Sequence, residues 1–125
     1  MPLFPRENRL TRPCEFQRVF ERGLHRRVQL EGFFARVREG TQTHARLGFA
    51  LSKRSLKRAV DRNRIKRLAR ESFRLHHHQL SGIDIVIMSQ ADVAQADNAA
   101  ILHQLDVLWQ RLGKLYPPRR AVQAK

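Results

Sequence analysis

The sequence has a single cysteine, Cys14, in 125 residues. One thiol excludes an intramolecular disulfide, fits a reducing compartment, and cannot supply a zinc site of paired cysteines and histidines. Cys14 itself is expected as a small, partly buried helix residue. Long apolar runs are missing as well: none approaches the roughly 20 residues that cross a bilayer. No apolar stretch follows the basic start MPLFPRENRL, so a secretory signal is not expected. These absences point to the cytoplasm and away from a membrane. Neither internal repeats nor a low-complexity linker interrupts the chain, which predicts one domain over 1–125. At 14.7 kDa, such a domain buries about two thirds of its unfolded surface and needs no metal or disulfide to fold.

Acidic residues are also scarce. Eleven Asp and Glu stand against 25 Lys and Arg, a formal net charge of +14 and a sequence pI near 11.6. That excess destabilises a compact state by self-repulsion and implies a polyanionic partner. It is unevenly spread: residues 1–75 carry 20 basic and 7 acidic side chains, residues 76–125 carry 5 and 4. With 42% apolar and 29% charged residues the chain is nevertheless globular in composition.

Residues 1–10, with two prolines, read as an extended arm. Thr11 as cap and Pro13 in the first turn start a helix whose Phe16, Val19 and Phe20 share one face, with Gly23 as its end. From Val28 to Arg38 the period becomes two, with Phe33, Ala35 and Val37 opposite Phe34, Arg36 and Arg38. His44 to Ser52 alternates again, and the polar turn 39–43 between the two runs predicts a hairpin. Residues 56–80 read as a long helix with Ile65, Leu68, Ala69, Ser72 and Leu75 inward, and Asn63, Lys66, Arg67, Arg70 and Arg74 on the opposite side. Ile83–Met88 reads as a buried strand. Asp97–Leu112 reads as a helix with Ile101, Leu105, Leu108, Trp109 and Leu112 inward, followed by a basic tail over 113–125. The class is α+β, a single-domain sandwich of one sheet with helices.

Between Lys53 and Arg74 lie ten basic and two acidic residues in 22 positions. Arginine dominates, and its planar fork binds phosphate bidentately. Neutralising phosphates releases counterions, so binding is expected to depend strongly on salt. Phe16, Phe20 and Phe34 lie on elements that also carry Arg18, Arg36, Arg38 and Arg46. Aromatic faces beside a basic groove suit unpaired bases. Gly48 and Ala50 on the same sheet face leave room for a backbone to approach.

The motifs Arg46-Leu47-Gly48, Ser52-Lys53-Arg54, Ala59-Val60, Arg62-Asn63-Arg64-Ile65-Lys66-Arg67 and Arg70-Glu71-Ser72-Phe73-Arg74 resemble the protein subunit of bacterial ribonuclease P. Asn8-Arg9-Leu10, Glu15-Phe16 and Val19-Phe20 match its first helix, and the resemblance runs from Asn8 to Leu112. It implies the order α-β-β-β-α-β-α around a central, mainly antiparallel sheet with three helices and a left-handed β-α-β crossover. It also implies a role: assisting an RNA subunit that removes the 5′ leader of precursor tRNA, widening the substrate range and raising substrate and magnesium affinity. Arg46, Lys53, Arg54, Arg58, Arg62, Asn63, Arg64, Lys66, Arg67, Arg70 and Arg74 are then the RNA-binding residues. Phe16, Phe20, Phe34 and Arg36 are the leader cleft. The partners implied are ribonuclease P RNA, one copy per protein, and the precursor leader. Where the family often has glycine before the second helix, this chain has Ser55-Leu56-Lys57-Arg58. Phe34 stands where tyrosine is common, and Ala50 where a small polar residue occurs.

No protein catalyst is visible. Metal-assisted hydrolysis wants clustered carboxylates, whereas Asp61, Asp84, Asp92, Asp97 and Asp106 are scattered. His76-His77-His78 point in different directions on a helix and cannot converge on one ion. No metal site or other cofactor is therefore assigned to protein residues, and magnesium is expected through the RNA. A purely structural RNA-binding protein of ribosomal type explains the charge but not the aromatic face. A DNA-binding helix lacks its helix-turn-helix partner, and a stand-alone nuclease lacks its residues.

Overall fold

The computed structural model describes residues 8–20, 26–40 and 44–116. Helix α1 (Pro13–Val19) is followed by strands β1 (Arg26–Gln29), β2 (Phe33–Glu39) and β3 (Arg46–Ala50). Helix α2 (Ala59–His76), strand β4 (Ile83–Ser89) and helix α3 (Asn98–Leu115) complete the order α-β-β-β-α-β-α. The strands form one mixed sheet in the order β1-β2-β4-β3, with β1–β2 and β2–β4 antiparallel and β3–β4 parallel.

The expected hairpin between the two sheet-forming runs is not formed. β4 lies between β2 and β3, pairing Phe34 with Met88 on one side and Ala50 with Met88 on the other. The hairpin lies instead within the run read as one strand, where Leu30 N–H donates to Phe33 O at 3.0 Å across Glu31-Gly32. Gly32 has φ +88°, a conformation that L side chains rarely adopt.

Alternation sorts the sheet into two faces. Val28, Phe33, Ala35, Val37, Leu47, Ile83, Ile85 and Ile87 join the buried residues of α2 and α3 in the main core. The last helix buries Ile101, Leu105, Leu108, Trp109 and Leu112, as expected, and Asp97 caps it by accepting from Ala100 N–H at 2.8 Å. It continues to Leu115, so the predicted tail begins inside the helix; residues 117–125 lie outside the described residues. α2 starts at Ala59 rather than 56, because residues 52–56 close a turn in which Leu56 N–H donates to Ser52 O. Its inward stripe includes Phe73, fully buried against Trp109, whereas Leu75 is 53% exposed. Trp109 Nε1–H donates to the buried Ser72 hydroxyl at 2.8 Å, tying α2 to α3.

The other sheet face is covered in part by α1. Leu10, Val19 and Val86 are buried there, with Phe16, Phe20, Ala50 and Met88 packed around them. The helix starts one residue later than expected: Arg12 takes the cap position, and Glu15 Oε1 accepts from both Thr11 N–H and Arg12 N–H. It ends at Val19, and Gly23 lies outside the described residues. Cys14 is exposed, not partly buried. Of the predicted arm, Asn8–Leu10 runs beside β3: Asn8 Nδ2 donates to Ala45 O and Leu10 N–H to Leu47 O. Residues 1–7 lie outside the described residues.

Candidate nucleic-acid interface

The strand registers set three rows across the α1 face of the sheet. The first is Arg38, Asp84 and Arg46; the second is Arg27, Arg36, Val86 and Gly48; the third is Gln29, Phe34, Met88 and Ala50. Helix α1 lies over the first two.

The first row is structural. Arg46 donates from Nε and Nη2 to the two Asp84 oxygens, each at 2.9 Å, and from Nη1 to Glu15 Oε2 at 2.8 Å. Arg46 is 8% exposed and Asp84 1%, so this expected RNA contact is turned into the fold with its charge already met. The Asp84 hydrogen bonds raise the Arg46 pKa despite burial. The N–H of Arg12 is foremost in lowering the Glu15 pKa, with further help from Thr11 and Arg46. One turn on, Arg38 Nη1 donates to Arg18 O at 2.6 Å and Arg18 Nη2 to Glu39 O at 3.3 Å. Helix α1 is thereby pinned to β3 at one end and to β2 at the other. Three of the four arginines expected to line a basic groove, Arg18, Arg38 and Arg46, thus hold the helix that forms its wall.

In the second row the space at Gly48 is filled. Phe16 and Leu10 lie against it, so it admits an aromatic ring of the protein rather than a ligand backbone. Arg36 is half-buried, its guanidinium 5.6 Å from the Phe20 ring centroid and 6.0 Å from that of Phe34. The third row is only partly covered. Phe34, Met88 and Ala50 are all half-buried; the structure brings the four residues expected in the cleft, Phe16, Phe20, Phe34 and Arg36, to one sheet face and sets Met88 and Ala50 beside them. Met88 was detectable in principle, since strict alternation in Ile83–Ser89 puts Asp84, Val86 and Met88 on this face.

The arginine-rich helix presents a second surface. Asn63, Arg67 and Arg70 are exposed and Lys66 and Arg74 half-buried, all on the side away from the core. Arg70 rests 5.5 Å from the Phe49 ring centroid, and burial followed by the charge of Arg9 lowers its pKa. Arg74 is paired with Glu71. Two expected members of this surface turn elsewhere. Arg62 Nη1 donates to Leu56 O at 2.5 Å and Lys57 O at 3.2 Å, fastening the turn before α2. Arg64 donates to Asn98 Oδ1, Ala94 O and Ala96 O, bracing the approach to α3. Lys53, Arg54 and Arg58 are exposed at the end of the sheet where Ala50 and Met88 lie.

Among the described residues no group of three or more His, Cys, Asp or Glu could hold a metal ion, and no helix is long and apolar enough to cross a membrane. His76 Nδ1 lies 2.8 Å from Ser72 O, and His77 stacks on Phe73.

A model of the ribonuclease P family matches residues 4–113. The ribonuclease P protein component of Thioalkalivibrio sulfidiphilus is 47% identical over 109 residues, covering 87% of this chain and 89% of the relative. That of Chromohalobacter salexigens is 41% identical over 111 residues, with coverages of 89% and 86%. Among solved structures, the RNase P protein of Staphylococcus aureus gives a TM-score of 0.74 at 26% identity, covering 82% of this chain and 93% of that one. The RNase P protein of Thermotoga maritima gives 0.71 at 26% identity, with coverages of 82% and 96%.

Proposed function

This chain belongs to the ribonuclease P protein family, the protein components of the endoribonuclease that matures tRNA 5′ ends, and from that premise we propose how its two surfaces divide the work. The outward side of α2, with Asn63, Lys66, Arg67, Arg70 and Arg74, binds ribonuclease P RNA through phosphate contacts, one protein per RNA. The cleft of Phe16, Phe20, Phe34, Arg36, Ala50 and Met88 holds the single-stranded leader of precursor tRNA. Cutting is carried out in the RNA subunit, with magnesium bound by that RNA, in the cytoplasm.

The observation that carries this reading is the third sheet row. An aromatic ring, a thioether and a methyl group, all half-buried, lie in the row next to Arg36. Stacking faces bordered by cations suit unpaired bases and do not discriminate strongly among them. Cationic side chains also screen repulsion between two RNAs, which strengthens substrate binding and the hold of RNA phosphates on magnesium. A leader grip separates precursor from product because only the precursor has a leader. A purely structural RNA-binding protein would make no such distinction.

The test adds the purified chain to a bacterial ribonuclease P RNA at low magnesium and compares precursor with mature tRNA. Cleavage is expected to rise, and precursor to bind more tightly than mature tRNA. Phe34→Ala is expected to weaken precursor binding by about 1–3 kcal/mol and leave mature tRNA unchanged. Equal losses for both would place the ring outside a leader site.

A further inference from the structure

The cleft does not end at Phe34. Arg27, on the edge strand β1, places its guanidinium 4.0 Å from the Phe34 ring centroid. Its Nη2 donates to Gln29 Oε1 at 2.8 Å, and Gln29 Nε2 in turn donates to Gln90 Oε1 at 2.9 Å and Leu30 O at 2.8 Å. An exposed arginine side chain is ordinarily free to swing. This one is steered onto an aromatic ring by a glutamine that is itself fixed to the end of β4. The result is an alternating series across three elements: Phe20, Arg36, Phe34, Arg27.

Two features set this series apart from ordinary surface packing. Arg27 and Arg36 are direct cross-strand partners, and like charges placed opposite each other destabilise a sheet. Two guanidinium groups side by side place fixed positive charge along this edge of the sheet. Arg27 is also exposed, so its guanidinium offers a planar, weakly hydrated cation of the kind on which bases stack.

We propose that Arg27, oriented by Gln29, is a further nucleotide subsite on the β1 edge, where the base of one unpaired leader nucleotide beyond those in the cleft stacks on the guanidinium. The proposal rests on the leader reading of the cleft and lengthens it by one step. Phe34 and Arg27 then act in sequence, and the leader crosses the sheet from β3 towards β1.

The experiment measures equilibrium binding of precursor tRNAs to the protein assembled with ribonuclease P RNA, lengthening the leader one adenosine at a time. Arg27→Ala is expected to match the unsubstituted protein on short leaders and to bind about fivefold or more weakly once the leader is long enough to reach β1. Arg27→Lys, which keeps the charge without the plane, is expected to leave most of that deficit. Full rescue by lysine, a loss independent of leader length, or no loss at any length would each overturn the subsite. Phe34→Ala in the same series separates the two claims. If it loses affinity on leader-bearing RNA while Arg27→Ala does not, only the β1 subsite fails; if neither responds to the leader, the cleft assignment itself is wrong.

Discussion

A Cβ on Gly48 would stand 2.7 Å from Phe16 Cζ and 2.9 Å from Leu10 Cβ. The ring of α1 therefore lies directly on bare β3 backbone, and the height of the helix above the sheet is set by the absence of one methyl group. Gly48→Ala forces Phe16 and Leu10 outward, with an expected loss of about 1–3 kcal/mol in urea unfolding. Because Phe16 also walls the proposed leader cleft, precursor affinity should fall more than mature tRNA affinity. A variant with unaltered stability would show that α1 can rise at no cost.

Asp84→Ala would leave the Arg46 guanidinium buried with Glu15 as its remaining carboxylate. Breaking a buried pair from one side costs about 3–5 kcal/mol, read from denaturant midpoints. Replacing both Arg46 and Asp84 by apolar residues of similar size should recover much of that loss, since the stranded charge is gone. A double variant no better than Asp84→Ala would contradict this.

Acid should loosen α1 before it unfolds the sheet. The Glu15 pKa is lowered in the folded protein by the N–H groups of Arg12 and Thr11 and by Arg46. Its stabilising contribution is complete above the ordinary glutamate range and is lost as the pH falls through the depressed folded value. Glu15→Gln should remove this part of the acid limb, measured as stability against pH between neutrality and about pH 3. An unchanged acid limb would place the linkage in another carboxylate.

Arg62 and Arg67 are neighbours in one basic motif, yet their variants should fail differently. Arg67→Ala is expected to weaken binding to ribonuclease P RNA by about 1–3 kcal/mol and to flatten its salt dependence, with unfolding unchanged. Arg62→Ala removes the donor to Leu56 O and Lys57 O, so it should lower stability by about 1–3 kcal/mol. Identical behaviour of the two in unfolding and RNA titrations would refute the division.

What was legible in the sequence was whatever depends on neighbours along the chain. The α3 stripe from Ile101 to Leu112 has a regular period and a capping Asp97, and every residue expected to be inward is buried. The sheet face of Phe34 was legible too, because it is out of phase with Phe33, Ala35 and Val37. The hairpin expectation failed because adjacency favoured β2 with β3, while the strand that separates them begins more than thirty residues after β3 begins. The fate of Arg46 was hidden for the same reason: its partner Asp84 is 38 positions away. Leu75 was expected inward and Phe73 was left out because the stripe of Ile65, Leu68, Ala69, Ser72 and Leu75 is centred to one side of the face that the fold buries. Arg27 carried no periodic signal, since its significance lies in a register with Arg36 and a contact with Phe34 that only the folded sheet creates.

The position of β4 has a consequence for synthesis. Both its neighbours, β2 and β3, emerge earlier and have no shared seam until the stretch ending at Ser89 slots between them. A nascent chain thus displays its arginine-rich helix while the floor of the groove, to which Met88 belongs, does not yet exist. Twenty of the 25 basic residues therefore leave the ribosome before the strand that joins β2 to β3.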